Sequence, residues 1–244
     1  MPGAMMGFPL AEAGGGSSGA NPDVSLLYDI NGLAKDAPGW FDHTMAFVGE
    51  YGIVLGMAVL MAVAWWSVRR DRDSASGMAA LLWAPLAAGL ALLVNMPIRD
   101  FVRRPRPALQ HQGLDLLVKG KTDFSFVSDH ATLTMALGVG LFVAHRRYGL
   151  IGIGLAFLEA FCRVFMGVHY PTDVIGGLAL GTAVVLLLAP VAMMLLTPVV
   201  RRIGVSRAAP LVRSRRRPAR LSVPEADGAV DAARSRHQDN GLAA

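Results

Sequence analysis

Residues 174–200 read VIGGLALGTAVVLLLAPVAMMLLTPVV, twenty-seven consecutive positions without a charge. A helix needs about 20 apolar residues to cross the hydrocarbon core of a bilayer, so this stretch alone removes the chain from the ordinary water-soluble classes. Two more runs repeat the pattern: Tyr51–Val68 is uncharged over 18 residues and Ser74–Ile98 over 25. Ala131–Ala144 and Tyr148–Leu158 are shorter and become spans if the polar residues at their ends face protein or snorkel toward the interface. Five transmembrane helices are therefore expected. Helices satisfy their backbone hydrogen bonds internally, so the fold class that follows is all-α, a polytopic membrane helix bundle.

Outward from these runs the composition changes. Residues 1–23 open with a Gly/Ser-rich segment (Gly14–Gly19) and read as a flexible N-terminal stretch. Residues 1–20 have neither the basic start nor the apolar centre of a secretory signal. Residues 24–48 carry Leu26, Leu27, Ile30, Leu33, Trp40, Phe41, Met45, Phe47 and Val48, broken at Pro38-Gly39. They read as two short interfacial helices, or equally as a packed helical hairpin. Residues 24–200 form the expected membrane-embedded domain. The tail, 201–244, holds ten arginines against Glu225, Asp227, Asp231 and Asp239. The chain's net charge of +5 belongs to that tail, which reads as a disordered cytoplasmic segment attracted to anionic lipid rather than to nucleic acid. A single cysteine, Cys162, excludes an internal disulfide framework.

Basic residues near the span ends set the orientation. With the N-terminus outside, thirteen Lys or Arg fall on the cytoplasmic side and seven on the outer side. The bias supports N-out and C-in, in a multi-pass protein of the cell membrane. Yet the outer loop 99–130 holds six of the outer residues, against the general rule. An anion-binding site gives them a reason to be there.

Three stretches carry chemistry-bearing residues: Arg99-Asp-Phe-Val-Arg-Arg-Pro-Arg106-Pro107, Ser125-Phe-Val-Ser128-Asp129-His130, and Cys162-Arg163 followed by His169-Tyr-Pro-Thr-Asp173. The five-span topology places all three on one face of the membrane. Together they resemble the tripartite signature of the type-2 phosphatidic acid phosphatase superfamily, Lys-x6-Arg-Pro, Pro-Ser-Gly-His and Ser-Arg-x5-His-x3-Asp. Here Arg99 stands for the lysine, Val127 for the proline, Asp129 for the glycine and Cys162 for the serine, while the spacing holds throughout. Within that superfamily the chain is similar to the BcrC-type undecaprenyl-diphosphate phosphatases, on Phe47-Val-Gly-Glu50-Tyr51-Gly, on Asn95 ahead of Arg-Pro-Arg-Pro, and on Gly167-Val-His169-Tyr-Pro-Thr-Asp173.

The resemblance implies a lipid phosphatase that cleaves a polyprenyl (undecaprenyl) diphosphate to the monophosphate on the outer face. It makes His169 the nucleophile that becomes a phosphohistidine, with Asp173 accepting a hydrogen bond from its other ring nitrogen. His130 becomes the acid that protonates the leaving group and then activates water. Arg99, Arg106 and Arg163 suit the phosphoryl oxygens, with Ser128 and Asp129 at the start of a helix beside them. The scheme needs no metal and no cofactor. Arg103 and Arg104 read as aids to diphosphate binding or as contacts to lipid headgroups. Glu159, four residues before Arg163, is expected to orient it from behind or only to neutralise it. Phosphatidate, phosphatidylglycerol phosphate and other prenyl phosphates are alternative substrates. So is a protein that binds or moves anionic lipid without cleaving it.

Overall fold

The structure is a computed structural model and describes residues 21–71, 74–118, 120 and 123–212. The N-terminal Gly/Ser segment and the arginine-rich tail beyond 212 lie outside the described residues, as do Lys119 and Lys121. Nine α-helices and one π-helical turn are found among the described residues: α1 (Pro22–Lys35), α2 (Gly39–Phe47), the π turn Val48–Gly52, α3 (Ile53–Val68), α4 (Ser74–Val102), α5 (Pro107–Gln110), α6 (Asp129–Ala144), α7 (Arg146–Phe165), α8 (Pro171–Ile203) and α9 (Ala209–Val212).

Four helical segments are long and apolar enough to span a bilayer: Gly39–Val68, the segment from Ser74 that contains α4, α7 and α8. The fifth expected span, α6, has 16 residues, or about 24 Å at 1.5 Å per residue. That is short of the roughly 30 Å hydrocarbon core. Position explains the shortfall. α6 packs against α4, α7 and α8, and its Ala131, Thr132, Thr134, Met135, Ala136, Gly138, Val139, Gly140 and Leu141 are all buried. A helix sheathed in protein has no lipid thickness to match. Small residues allow this crowding: a Cβ on Gly138 would lie 2.8 Å from the backbone of Gly152 and Ile153 on α7.

The N-terminal segment differs from the expectation of two interfacial helices. α2 continues through the π turn into α3, so residues 39–68 are one helical rod. The Pro38-Gly39 break starts that rod: Pro38 is extended (ψ 142°) and precedes the first turn. α1 is the one separate helix. It buries Leu27, Asn31 and Ala34 against α7 and α8.

Chain direction then sorts the chemistry. α4 and α7 end where α6 and α8 begin, so the three motif stretches meet at one end of the bundle. At that end Arg103 takes a left-handed conformation (φ 50°) directly after α4. The resulting turn sends Arg104 and Arg106 back over the helix ends.

Candidate active site

A cavity of about 340 Å³ opens at this end, lined by Arg106, Gly120, Asp123, Asp129, His130, Arg163 and His169. Five of these were expected at the site from sequence: Arg106, Asp129, His130, Arg163 and His169. His169 sits in the short α7–α8 connection, which depends on Gly167. That residue has φ +69°, and an added Cβ would lie 3.2 Å from Asn31 and Leu116.

The imidazole of His169 is 3% exposed. Its Nδ1 lies 2.9 Å from the carbonyl oxygen of Ser125, and a carbonyl can only accept, so Nδ1 carries the proton. Nε2 therefore presents its lone pair, 3.3 Å from Nη1 of Arg106, a group that can only donate. Two neighbours fix the same tautomer from opposite sides of the ring. Burial pushes the ring's pKa down to about 4; the Asp173 carboxylate pulls the other way, and the Arg163 and Arg106 charges add to the fall. His169 is neutral at physiological pH.

Asp173 is fully buried, but its relation to His169 is not the direct hydrogen bond expected. Its Oδ2 stands 3.7 Å from Nδ1, and the Ser125 carbonyl takes the closer place. The reason is geometric. Asp173 is the third residue of α8, and its Oδ2 accepts the Tyr170 backbone N–H at 3.0 Å, closing the helix N-terminus. The Ser125 hydroxyl donates to the same oxygen. Asp173 thus acts on the imidazole through its charge, and through Ser125, whose carbonyl it helps to place.

Arg106 is buried and held by four sets of contacts. Its Nη2 meets both carboxylate oxygens of Asp123 at 2.9 and 3.0 Å. Nε reaches Asp123 Oδ1 and its carbonyl at 3.1 Å. Nη1 donates to the Val168 carbonyl at 2.9 Å and faces His169. Burial raises the Asp123 pKa, but the Arg106 hydrogen bonds and charge, with Arg99 behind them, outweigh it and hold the carboxyl below its usual value. Arg99 does not line the cavity. It pairs with Asp129 and, at 3.3 Å, with Asp123. Asn95, fully buried, donates to Asp129 Oδ1 at 2.7 Å and to the Val127 carbonyl at 3.0 Å. Ser128, expected at a phosphate, is buried outside the cavity lining; its hydroxyl accepts from Ala131 N–H and caps α6.

Arg163 enters the cavity from α7, fully buried. Its hydrogen-bonded carboxylate partner is Glu50, on the π turn, at 2.9 Å, with the Gly49 carbonyl at 3.2 Å. Glu159, the partner expected from spacing, is buried on the same helix, but Glu50 makes this contact. The π turn can approach so closely because Gly49 has no side chain: a Cβ there would lie 2.8 Å from Cys162 Cβ. Arg163 Nε is buried with no acceptor among the described residues.

Sequence reasoning assigned no part to Ser125, Asp123 or Glu50 and left Arg104 between the substrate and a lipid headgroup. Ser125 stood inside a quoted motif and Arg104 beside Arg106. Asp123 and Glu50 are single carboxylates whose partners lie 17 and 113 residues away, and no local pattern announces such pairs.

A bundle of long apolar helices, with a neutral imidazole and buried guanidinium groups converging at one end, defines a membrane enzyme that handles phosphate esters. Residues 80–196 match the PAP2 superfamily, and the chain belongs to it: a multi-pass membrane lipid phosphatase. It is 30% identical over 137 residues to the undecaprenyl-diphosphatase BcrC of Bacillus subtilis, covering 56% of this chain and 67% of that protein. It is 31% identical over 168 residues to the decaprenylphosphoryl-5-phosphoribose phosphatase of Mycobacterium tuberculosis, covering 66% of this chain and 86% of that one. The crystal structure of Aquifex aeolicus LpxE superposes with a TM-score of 0.52 at 20% identity, over 68% of this chain and 94% of that one. That likeness supports the fold.

Proposed function

We propose that residues 24–200 hydrolyse a polyprenyl diphosphate to the monophosphate and inorganic phosphate through a phosphohistidine on His169. The observation that carries this reading is the fixed tautomer: a neutral ring, its proton held at Nδ1 and its Nε2 lone pair facing the cavity arginines. Nε2 attacks the terminal phosphorus and the bridging P–O bond breaks. His130 gives its proton to the departing lipid monophosphate. It then takes one from water, which attacks the phosphohistidine and releases phosphate, returning the imidazole to its starting state. Charge on the transferring group spreads over its equatorial oxygens. Arg163 and Arg106 meet that charge inside a protein-lined cavity, where a fixed donor is worth far more than in water.

The basic-residue bias favours a cavity on the extracytoplasmic face of the plasma membrane, where a carrier lipid would be recycled for cell-wall polymer synthesis. The similarity to the mycobacterial phosphatase, over 86% of its length, favours a second reading: a polyprenyl-linked phosphosugar as substrate. Both readings keep a polyprenyl lipid and a terminal phosphate.

Phosphate release by the purified full-length chain in detergent separates them. Undecaprenyl diphosphate, a decaprenyl phosphoryl-phosphoribose and phosphatidate would be offered at equal mole fraction. The diphosphate is expected to turn over fastest. Preference for phosphatidate overturns the polyprenyl assignment, and no turnover of any lipid phosphate overturns the reading altogether.

A further inference from the structure

Helix α1 precedes the matched 80–196 segment, yet it touches both ends of the loop that carries His169. At the loop's start, Asn31 Nδ2 donates to the Phe165 carbonyl at 2.8 Å and to the Asp115 carbonyl at 2.8 Å, while its Oδ1 accepts the Asp115 N–H at 2.8 Å. At the loop's end, Asp23 Oδ1 accepts the Thr172 N–H at 2.9 Å and Oδ2 accepts the Thr172 hydroxyl at 2.7 Å. Asp23 and Asn31 are eight residues apart on one helix, about 12 Å at 1.5 Å per residue. α1 is a splint laid across the loop.

The same Asp23 oxygen accepts from Nη2 of Arg104. Nη1 of Arg104 donates to Asp173 Oδ1 at 2.8 Å and to the Thr172 hydroxyl at 2.6 Å. The guanidinium lies over the Tyr170 ring, with Cζ 3.7 Å from the ring centroid. It is not in the cavity lining. A planar fork that donates to two carboxylates while stacked on a ring is a use that lysine cannot reproduce.

We propose that Arg104 and Asp23 are positioning residues for the phosphatase reaction: Arg104 orients and half-neutralises Asp173, and Asp23 holds Arg104 while tying α1 to the start of α8. This rests on His169 being the nucleophile. The charged and titratable groups around His169 are Asp173 on α8, Arg163 on α7, Arg106 and Asp123 in the loop, and Asp129 and His130 on α6. Arg104 acts on the imidazole only through the first of these.

The test uses full-length protein in detergent, with undecaprenyl diphosphate as substrate and R104Q, R104K, D23N and H169A as variants. Melting temperature is measured on each. R104Q is expected to lose roughly 10- to 100-fold in kcat, with KM within about threefold because Arg104 does not line the cavity. Without its counter-charge, Asp173 raises the His169 pKa, so the acid limb of kcat moves to higher pH. R104K keeps the charge and loses the fork: its acid limb stays in place while kcat falls. D23N is expected to lower kcat less than R104Q and to add little in the R104Q background, because both act through one guanidinium. An effect confined to KM would make Arg104 a substrate contact and overturn the proposal. Wild-type kcat in R104Q, or activity that falls only in step with melting temperature and no shift of the acid limb, also overturns it. If R104Q does not fold, the R104K and D23N measurements decide. An active H169A breaks the nucleophile assignment instead, and an inactive H169A beside normal R104Q and D23N breaks this inference alone.

Discussion

At the end where α4 and α7 stop and α6 and α8 begin, Arg106, Glu159, Arg163, His169 and Asp173 are all buried. At the opposite end, where α3 gives way to α4, the core is Ala64, Val68, Met78, Ala79, Leu81, Leu141, Val200 and Val212. Cations occur there too, but on the outside. Arg69 lies 4.6 Å from the Trp65 ring centroid, and Arg70 lies 4.6 Å from that of Trp66. The second end follows the general rule for a membrane protein, with aromatic rings and cations at the level of the headgroups. The first end breaks it, since removing ions from water costs several kcal/mol per ion even after relaxation. A fold that can cap its helices with alanine and valine at one end has no structural need for buried ions at the other. The ions are there for chemistry.

Removing the nucleophile is the strongest way to break the comparison. H169A is expected to lose at least about 10⁴-fold in turnover of any lipid phosphate, because no covalent intermediate forms. Acid-labile phosphoenzyme, trapped by quenching, should appear in wild type and vanish in H169A. The pH dependence carries a sign as well. Nucleophilic attack needs neutral His169, and burial holds its pKa at about 4, so protonation removes the lone pair only as pH falls toward 4. A loss of activity centred near pH 6.5 and traced to His169 by 15N NMR of the ring contradicts the buried, neutral imidazole.

H130A should follow, with a loss of roughly 10²- to 10⁴-fold on the natural lipid. The loss should shrink for a nitrophenyl phosphate, whose leaving group needs little proton donation. An equal loss across a leaving-group series removes His130 from the acid role.

How much of this was legible depends on distance along the chain. The spans were readable because a bilayer demands about 20 apolar residues in succession, and composition alone reports such a run. α6 was readable as a short apolar run; what the sequence did not show is that α4, α7 and α8 pack around it. Arg106, Arg163, His169, Asp173 and His130 came from the resemblance of three short stretches to a family signature. What sequence could not show was the wiring between stretches. For Arg163 the sequence offered Glu159, a turn away on its own helix, but not Glu50, which reaches it from a rod 113 residues distant. Asp173 was given a direct bond to His169, but its place in the first turn of α8 turns it toward Tyr170 and Ser125. The break at Pro38-Gly39 was legible and does separate α1 from α2; the continuity of α2 through the π turn into the first span was not.

Glu50 gives the next effect in size. E50A removes the carboxylate that holds a buried guanidinium. It is expected to lower kcat/KM by roughly 10- to 100-fold, with E50Q milder because its amide oxygen still accepts from Arg163. Weaker vanadate inhibition in E50A would accompany the loss. Unchanged kinetics and vanadate affinity would mean that Arg163 keeps its place without the π turn.

Asp123 should move the other way. Its carboxylate engages the Arg106 fork, a group a phosphate would use, and its side chain is 49% exposed. D123N removes the competing charge, while the residue 123 carbonyl still receives Arg106 Nε. Vanadate and inorganic phosphate are therefore expected to bind tighter by no more than about fivefold, since a half-exposed pair contributes about 1 kcal/mol or less. Weaker binding in D123N would show that the carboxylate orients Arg106 rather than competing for it.

The smallest effect belongs to the opposite end, and it is the control that the comparison needs. Arg69 and Arg70 stack on Trp65 and Trp66 without entering the protein, and an exposed cation–π contact contributes about 0.5–1 kcal/mol. R69Q and R70Q should therefore leave kcat and KM within about twofold and lower the melting temperature only slightly. The double variant should weaken association with vesicles rich in anionic lipid, each basic residue near such a surface being worth about 1 kcal/mol. The reasoning turns on burial rather than on charge. Both ends carry arginines, and only those withdrawn from water are expected to affect phosphate release. If R69Q cost as much turnover as E50A, buried charge would not be what marks the active end, and the contrast between the two ends would lose its functional meaning.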